Sequence, residues 1–139
     1  MTALRFLDTN ILLYSISGAA DEAVKRNTAV AVLDGDDNAL SVQVLQEFYV
    51  QSTRVTRAGA LSHETAAALI ATWMRFDVQD NTVAVLRGAL DIQSRYGFSY
   101  WDSAVIAAAR ALGCSELLSE DLRHGQVIDG MTITNPFRA

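Results

Sequence analysis

Arg5-Phe6-Leu7-Asp8-Thr9-Asn10 is the stretch that decides the fold class: a very short apolar run that ends on an acid. A run this brief, closed by polar turn residues, reads as a buried strand. The same pattern returns further along the chain. Ala39-Leu40, Glu116-Leu117-Leu118 and Met131-Thr132-Ile133-Thr134 read as strands, and helical periodicity fills the intervals between them. Asp21 is expected to cap a helix running to about Leu33, with Gly35-Asp36-Asp37-Asn38 as the turn after it. Ser41 caps the next helix, which carries Leu45, Phe48, Ser52 and Val55 at helical spacing and ends near Gly59. Ser62-His63-Glu64-Thr65 opens another helix, through Phe76. Asn81 or Thr82 starts a further one, with Val83, Leu86, Ala89 and Leu90 on one face and Gly97 past its end. Ser99-Tyr100-Trp101-Asp102 fits a capping box at the head of an Ala-rich helix that stops at Gly113. Short strands separated by helices predict an α/β fold with a mostly parallel sheet, and such sheets hold ligands outside the carboxyl ends of their strands.

Composition bounds the classes. The 139 residues suit one domain spanning 1–139. Half of them are hydrophobic and 19% are charged, which excludes a disordered chain. Cys114 is the only cysteine, so no internal disulfide forms, and a reducing compartment is expected. The first residues lack the apolar core of a signal peptide. No apolar run approaches the roughly 20 residues that span a bilayer. A cytoplasmic protein with no membrane partner is the expectation. The net charge is −5 and Lys25 is the only lysine, so no bulk basic patch marks a nucleic-acid binder. Nucleic acid remains a partner only if cations held by the acidic residues reverse the local charge.

Four acids sit where strands end or helices begin. Asp8 follows the first strand, and Asp121 follows Glu116-Leu117-Leu118 after Ser119 and Glu120. Asp102 lies in the first turn of the Ala-rich helix, and Glu47 in the second turn of the helix after the second strand. Each has an ordinary reading alone: a turn residue, a loop acid, a capping-box member, a solvated helix glutamate. Glu120 reads as a solvent-facing neighbour. The combination says more, because charges in such apolar settings are costly unless paired or bound to metal. Clustered carboxylates repel one another, and a divalent cation removes that conflict. Oxygen ligands suit Mg²⁺ or Mn²⁺, whose bound waters serve phosphodiester hydrolysis. His63 and His124 are the only histidines, so no zinc pattern exists, and Gly-Lys never occurs, so there is no Walker-type phosphate loop.

These segments, taken in order, resemble the PIN-domain ribonucleases, specifically the VapC-like toxins of bacterial toxin–antitoxin pairs. The resemblance is carried by Phe6-Leu7-Asp8-Thr9-Asn10-Ile11-Leu12-Leu13-Tyr14 and by Leu40-Ser41-Val42-Gln43-Val44-Leu45-Gln46-Glu47-Phe48-Tyr49. It continues in Tyr100-Trp101-Asp102-Ser103-Ala104-Val105-Ile106-Ala107-Ala108-Ala109 and Leu117-Leu118-Ser119-Glu120-Asp121-Leu122. It implies a three-layer α/β/α sandwich around a central parallel sheet, and a Mg²⁺-dependent endoribonuclease, with Mn²⁺ as the other cation. Asp8, Asp102 and Asp121 are then the principal metal ligands, and Glu47 completes the acidic site. Thr9 and Asn10 orient Asp8 and the first loop, and Ser119 supports Asp121. It also implies an RNA substrate, a cognate antitoxin and a homodimer.

Other readings stand beside this one. An aspartyl-phosphate enzyme of the haloacid-dehalogenase kind wants a second Asp where Asn10 stands, and a response-regulator receiver wants a late lysine. A non-catalytic binding module and a PIN nuclease acting on DNA are the remaining alternatives. Arg123 is a candidate phosphate contact. The apolar helix from Ser62 to Phe76 is expected to be core. The alternative is that part of it, with Leu12, Leu13 and Tyr14, receives an antitoxin helix or a second subunit, leaving Trp73 exposed in the free protein.

Overall fold

The computed structural model describes residues 3–138; Met1, Thr2 and Ala139, at the ends of the expected domain, lie outside them. The strands are β1 (Arg5–Leu7), β2 (Asn38–Ser41), β3 (Asp77–Gln79), β4 (Glu116–Leu118), β5 (Val127–Ile128) and β6 (Met131–Thr134). The helices are α1 (Thr9–Ser15), α2 (Ala23–Leu33), α3 (Val42–Ser52), α4 (His63–Trp73), α5 (Val83–Tyr96) and α6 (Tyr100–Ala111). The sheet order is β3-β2-β1-β4-β6-β5. Five strands run parallel and only β5, paired to β6, is antiparallel. Helices α1 to α4 pack on one another, α5 pairs with α6, and α6 also lies on β2 and β3. The result is the expected α/β/α sandwich.

The register explains why the site forms. β1 lies between β2 and β4, so its last residue, Leu7, is level with Leu118. The chain order β1–β2–β3 and then β4–β6 makes the strand order reverse beside β1, and a crevice opens at such a switch point. The strands supply apolar surface on both faces: Phe6, Leu7, Ala39, Leu40 and Leu117 are fully buried, as parallel strands covered by helices must be.

Several expectations are corrected. The residues after Asp8 are not a loop but α1, whose apolar residues Ile11 and Leu12 are wholly buried. Seven residues are too few to show a helical period. Asp21 caps nothing: it lies in a 3₁₀ turn (Ala20–Glu22), and Glu22 precedes α2. Asn38 opens β2 rather than closing the turn, and its side-chain amide donates to the Val32 carbonyl. α3 ends at Ser52, well before Gly59, and Val55 is 92% exposed beyond it. Thr82, not Asn81, caps α5, through its hydroxyl and the Val85 amide. α5 turns Ala89 and Ile92 inward, while Val83, Leu86 and Leu90 of the expected apolar face stay exposed. Trp73 is buried, edge-on to Phe48 with ring centroids 4.7 Å apart, and Leu12 is buried too. The core reading of α4 therefore holds at Trp73, and Trp73 and Leu12 are not the exposed contacts that the alternative, a docking surface, would use. β3 and β5, of three and two residues, were not expected. Among the described residues no helix is long and apolar enough to cross a membrane.

Candidate active site

Asp8 continues the β1 ladder by one residue: its amide donates to the Leu118 carbonyl at 3.0 Å. That bond sets its side chain beside Ser119. Asp8 is buried, and both carboxylate oxygens are engaged. Oδ1 accepts from the Thr9 amide at 2.8 Å and Oδ2 from the Ser119 hydroxyl at 2.8 Å. Burial pushes the Asp8 carboxyl up to about 6. The two hydrogen bonds oppose that rise, and the charges of Asp121 and Glu47 add to it.

Ser119 is the junction between Asp8 and Asp121. Its hydroxyl donates to Asp8 and accepts from the Asp121 amide at 3.1 Å. Asn10 ties the same loop to α1. Its Nδ2 donates to Asp121 Oδ2 at 3.2 Å and to Ser119 Oγ at 3.3 Å, and its Oδ1 accepts from the Glu120 amide. Thr9 reaches the other way, its hydroxyl donating to Glu47 Oε2 at 2.8 Å. One turn earlier on α3, Gln43 donates to Glu47 Oε1 at 3.0 Å and touches the Trp101 carbonyl at 3.4 Å. Gln43 escaped the sequence reading, although its i, i+4 spacing to Glu47 was a usable signal. Ser99 caps α6, its hydroxyl accepting from the Asp102 amide at 3.1 Å, which is the Ser99 half of the expected capping box. Burial raises the Asp102 carboxyl, Ser99 offsets part of this, and Asp121 and Glu47 raise it further.

Asp8, Glu47, Asp102 and Asp121 thus line one cavity of about 150 Å³, with Thr9 and Asn10. They come from four segments spread over the whole chain. No lysine or arginine lines it, and among the described residues none of the four acids is in a salt bridge. Glu120 does not join them. It is half-buried rather than solvent-facing, ion-paired to Lys25 and accepting from the Tyr14 hydroxyl. Burial pushes the Glu120 carboxyl up, but these two partners overcome that and hold it below its ordinary range. Arg123 is exposed and outside the cavity wall.

An all-oxygen donor set without a protein cation fits a hard divalent ion. Among the described residues no three such side chains are drawn tightly enough together to hold an ion by themselves. Mg²⁺ keeps several waters and is commonly held by one or two carboxylates together with substrate phosphate.

The family profile described as "PIN domain" matches residues 5–129. No curated protein matches the sequence. Among solved structures, a toxin–antitoxin complex from Klebsiella pneumoniae superposes with a TM-score of 0.72 at 18% identity, covering 99% of this chain and 100% of that one. The sarcin-ricin loop cleaving toxin VapC20 of Mycobacterium tuberculosis gives 0.63 at 21% identity, over 81% of this chain and 86% of that one. VapBC2 from Rickettsia felis, bound to a DNA fragment from its promoter, gives 0.66 at 16%, over 95% and 98%. At these identities the likeness is one of fold.

Proposed function

The chain belongs to the PIN-domain family, and from that premise we propose that it is a divalent-cation-dependent endoribonuclease, the toxin of a toxin–antitoxin pair. The observation that carries this reading is the single cavity lined by Asp8, Glu47, Asp102 and Asp121 with no cation of the protein's own. The toxin and toxin–antitoxin structures of like fold support the toxin assignment, and the one that cleaves the sarcin-ricin loop supports RNA as the substrate. We assign the whole chain, 1–139, to one nuclease domain that works in the cytoplasm, pairs as a homodimer and is silenced by a cognate antitoxin.

Asp8, Asp102 and Asp121 are the residues that hold Mg²⁺ (or Mn²⁺), with Glu47 completing the site. When bound, the ion supplies an activated water and offsets charge on the scissile phosphate. The chain's own residues do the positioning. Thr9 and Ser119 hold both Asp8 oxygens, so that carboxylate has one orientation. Asn10 and the Ser119 hydroxyl fix the Asp121 loop against α1. Thr9 and Gln43 fix Glu47 from two sides at the cavity wall. Leu13 and Val105 give the cavity apolar wall.

The test compares cutting of structured RNAs by the wild type and by Asp8→Asn, each with Mg²⁺ and with EDTA. Cutting by the wild type in Mg²⁺ alone is expected. Equal cutting in all four conditions overturns the assignment, and preferential cutting of DNA of the same sequence moves it to a DNA-directed nuclease.

A further inference from the structure

Trp101 stands next to Asp102 and borders more than the acidic cavity. It also lines a recess of about 430 Å³ and a smaller one of about 250 Å³. The indole is 63% exposed, whereas Trp73, the only other tryptophan, is 4% exposed. A side chain with so much apolar area is left in water at a cost unless something covers it. Gln43 holds the Trp101 carbonyl, and Tyr100 lies edge-on to the ring, with centroids 5.0 Å apart at 77°.

The rest of the 430 Å³ recess is neutral. Val83, Leu86 and Ala104 give it apolar wall, and Gln46 and Asn81 give it amides. Asn81 Nδ2 donates to Gln46 Oε1 at 3.3 Å. Among the described residues that leaves the Gln46 Nε2 amide group and the Asn81 Oδ1 acceptor without a protein partner. A paired donor and acceptor is what the edge of a nucleobase presents in mirror form. An exposed aromatic face is the platform on which unstacked bases of single strands sit. The recess has no lysine or arginine in its wall, so it suits neither a phosphate nor an acidic peptide.

We propose that this recess is a nucleobase subsite: an unstacked base of a single-stranded RNA segment stacks on Trp101, and its polar edge meets Gln46 and Asn81. It deepens the nuclease reading, on which it rests for the placement of the neighbouring phosphate at the carboxylates. Cleavage would then favour RNA in which a base near the cut is free to leave its stack, as in a loop.

The test uses the full chain with Mg²⁺ and rapid mixing, so that binding is read before any cutting. The probes are octauridylate and an abasic ribose-phosphate octamer of the same charge. Octauridylate is expected to quench Trp101 emission, and the abasic octamer is not. Fluorescein anisotropy should show octauridylate binding about tenfold or more weaker to Trp101→Ala, nearly unchanged to Trp101→Phe, and several-fold weaker to Gln46→Ala. On a cleaved RNA, Trp101→Ala should raise KM more than it lowers kcat. Equal quenching by the abasic octamer, or unchanged affinity in Trp101→Ala, overturns the subsite. So does a dimer in sedimentation that falls apart in Trp101→Ala with affinity for octauridylate intact, because the recess then belongs to a second copy. Full cutting by Asp8→Asn contradicts the nuclease reading but leaves base-dependent quenching untouched, so the two failures are distinguishable.

Discussion

Asp8 and Asp129 are the same side chain at opposite ends of one sheet, and the chain treats them in opposite ways. Asp129 sits in the turn between β5 and β6, at the amino end of the parallel strands. The Arg95 guanidinium grips it with two nitrogens, at 3.2 and 2.6 Å, and Arg110 adds a third contact at 2.8 Å. The Arg95 hydrogen bonds hold the Asp129 carboxyl below its ordinary range. Asp8, at the carboxyl end, is buried, has no cationic partner and has three other acids around its cavity. Its carboxyl is pushed up to about 6. The difference separates two uses of a carboxylate. Asp129 fastens the β5–β6 turn to the ends of α5 and α6, and its charge is neutralised within the fold. Asp8 carries charge that the fold leaves open to something from outside.

That contrast can be broken by substitution. The largest expected effect is on catalysis: Asp8→Asn should slow RNA cleavage by on the order of a thousandfold. An initial-rate assay on a cleaved RNA checks it, and a rate within a factor of about three of wild type contradicts it. Glu47→Gln should cost less, about tenfold or somewhat more in kcat, because Thr9 and Gln43 still hold the side chain in place. Unchanged circular dichroism would confirm that the loss lies in the chemistry.

The next effect is on stability without divalent ions. The folded Asp8 carboxyl lies at about 6, against an ordinary 3.8. Below the ordinary value both states hold the proton and the site costs nothing. Between the two values the native state holds more proton than the unfolded state, so stability falls as pH rises. Above pH 6 the whole cost is present, on the order of 3 kcal/mol. In EDTA, Asp8→Asn should therefore melt higher than the wild type at pH 7.5, by about 5 °C or more. The gap should close as pH falls through 6 toward 4. A lower melting point for the variant at pH 7.5 would mean that Asp8 is not under strain.

The smallest effect belongs to the other end. Asp129→Asn keeps the φ of +49° that this position adopts, which Asn tolerates, and removes only the charge. It should lower the melting midpoint by less than Asp8→Asn raises it, and the loss should fade in molar salt. Cleavage should not change. A cleavage defect would mean that the two ends are coupled.

The architecture was legible because it is written in local chemistry. Four of the six strands were read from short apolar runs, and Ser41, Ser62, Thr82 and Ser99 are all helix caps by side-chain hydrogen bond. β3 was hidden because Asp77-Val78-Gln79 is not an apolar run and its pairing is set by β2, far back along the chain, and β5 because two residues carry no pattern. α1 was hidden for a related reason: Ile11-Leu12-Leu13 is a continuous apolar run, and Asp8, which reads as a turn residue, is also the helix cap. The four acids were visible in the sequence, and the cavity that gathers them is now seen. Their support was only partly visible. Ser119, Thr9 and Asn10 followed from adjacency and resemblance, whereas the Gln43–Glu47–Trp101 link needs α3 and α6 to meet in space. The ion pair that draws Glu120 away to Lys25 spans 95 positions and has no local signature.

The central claim is that the carboxyl end of the sheet is an anionic site completed by a divalent cation. Melting the wild type and Asp8→Asn at pH 7.5 across a Mg²⁺ titration tests it directly. The wild-type midpoint should climb with Mg²⁺ toward a gain of about 2.7 kcal/mol at a hundredfold excess over Kd, while Asp8→Asn stays nearly flat. A wild-type midpoint indifferent to Mg²⁺, or an equal climb in both proteins, would contradict the account.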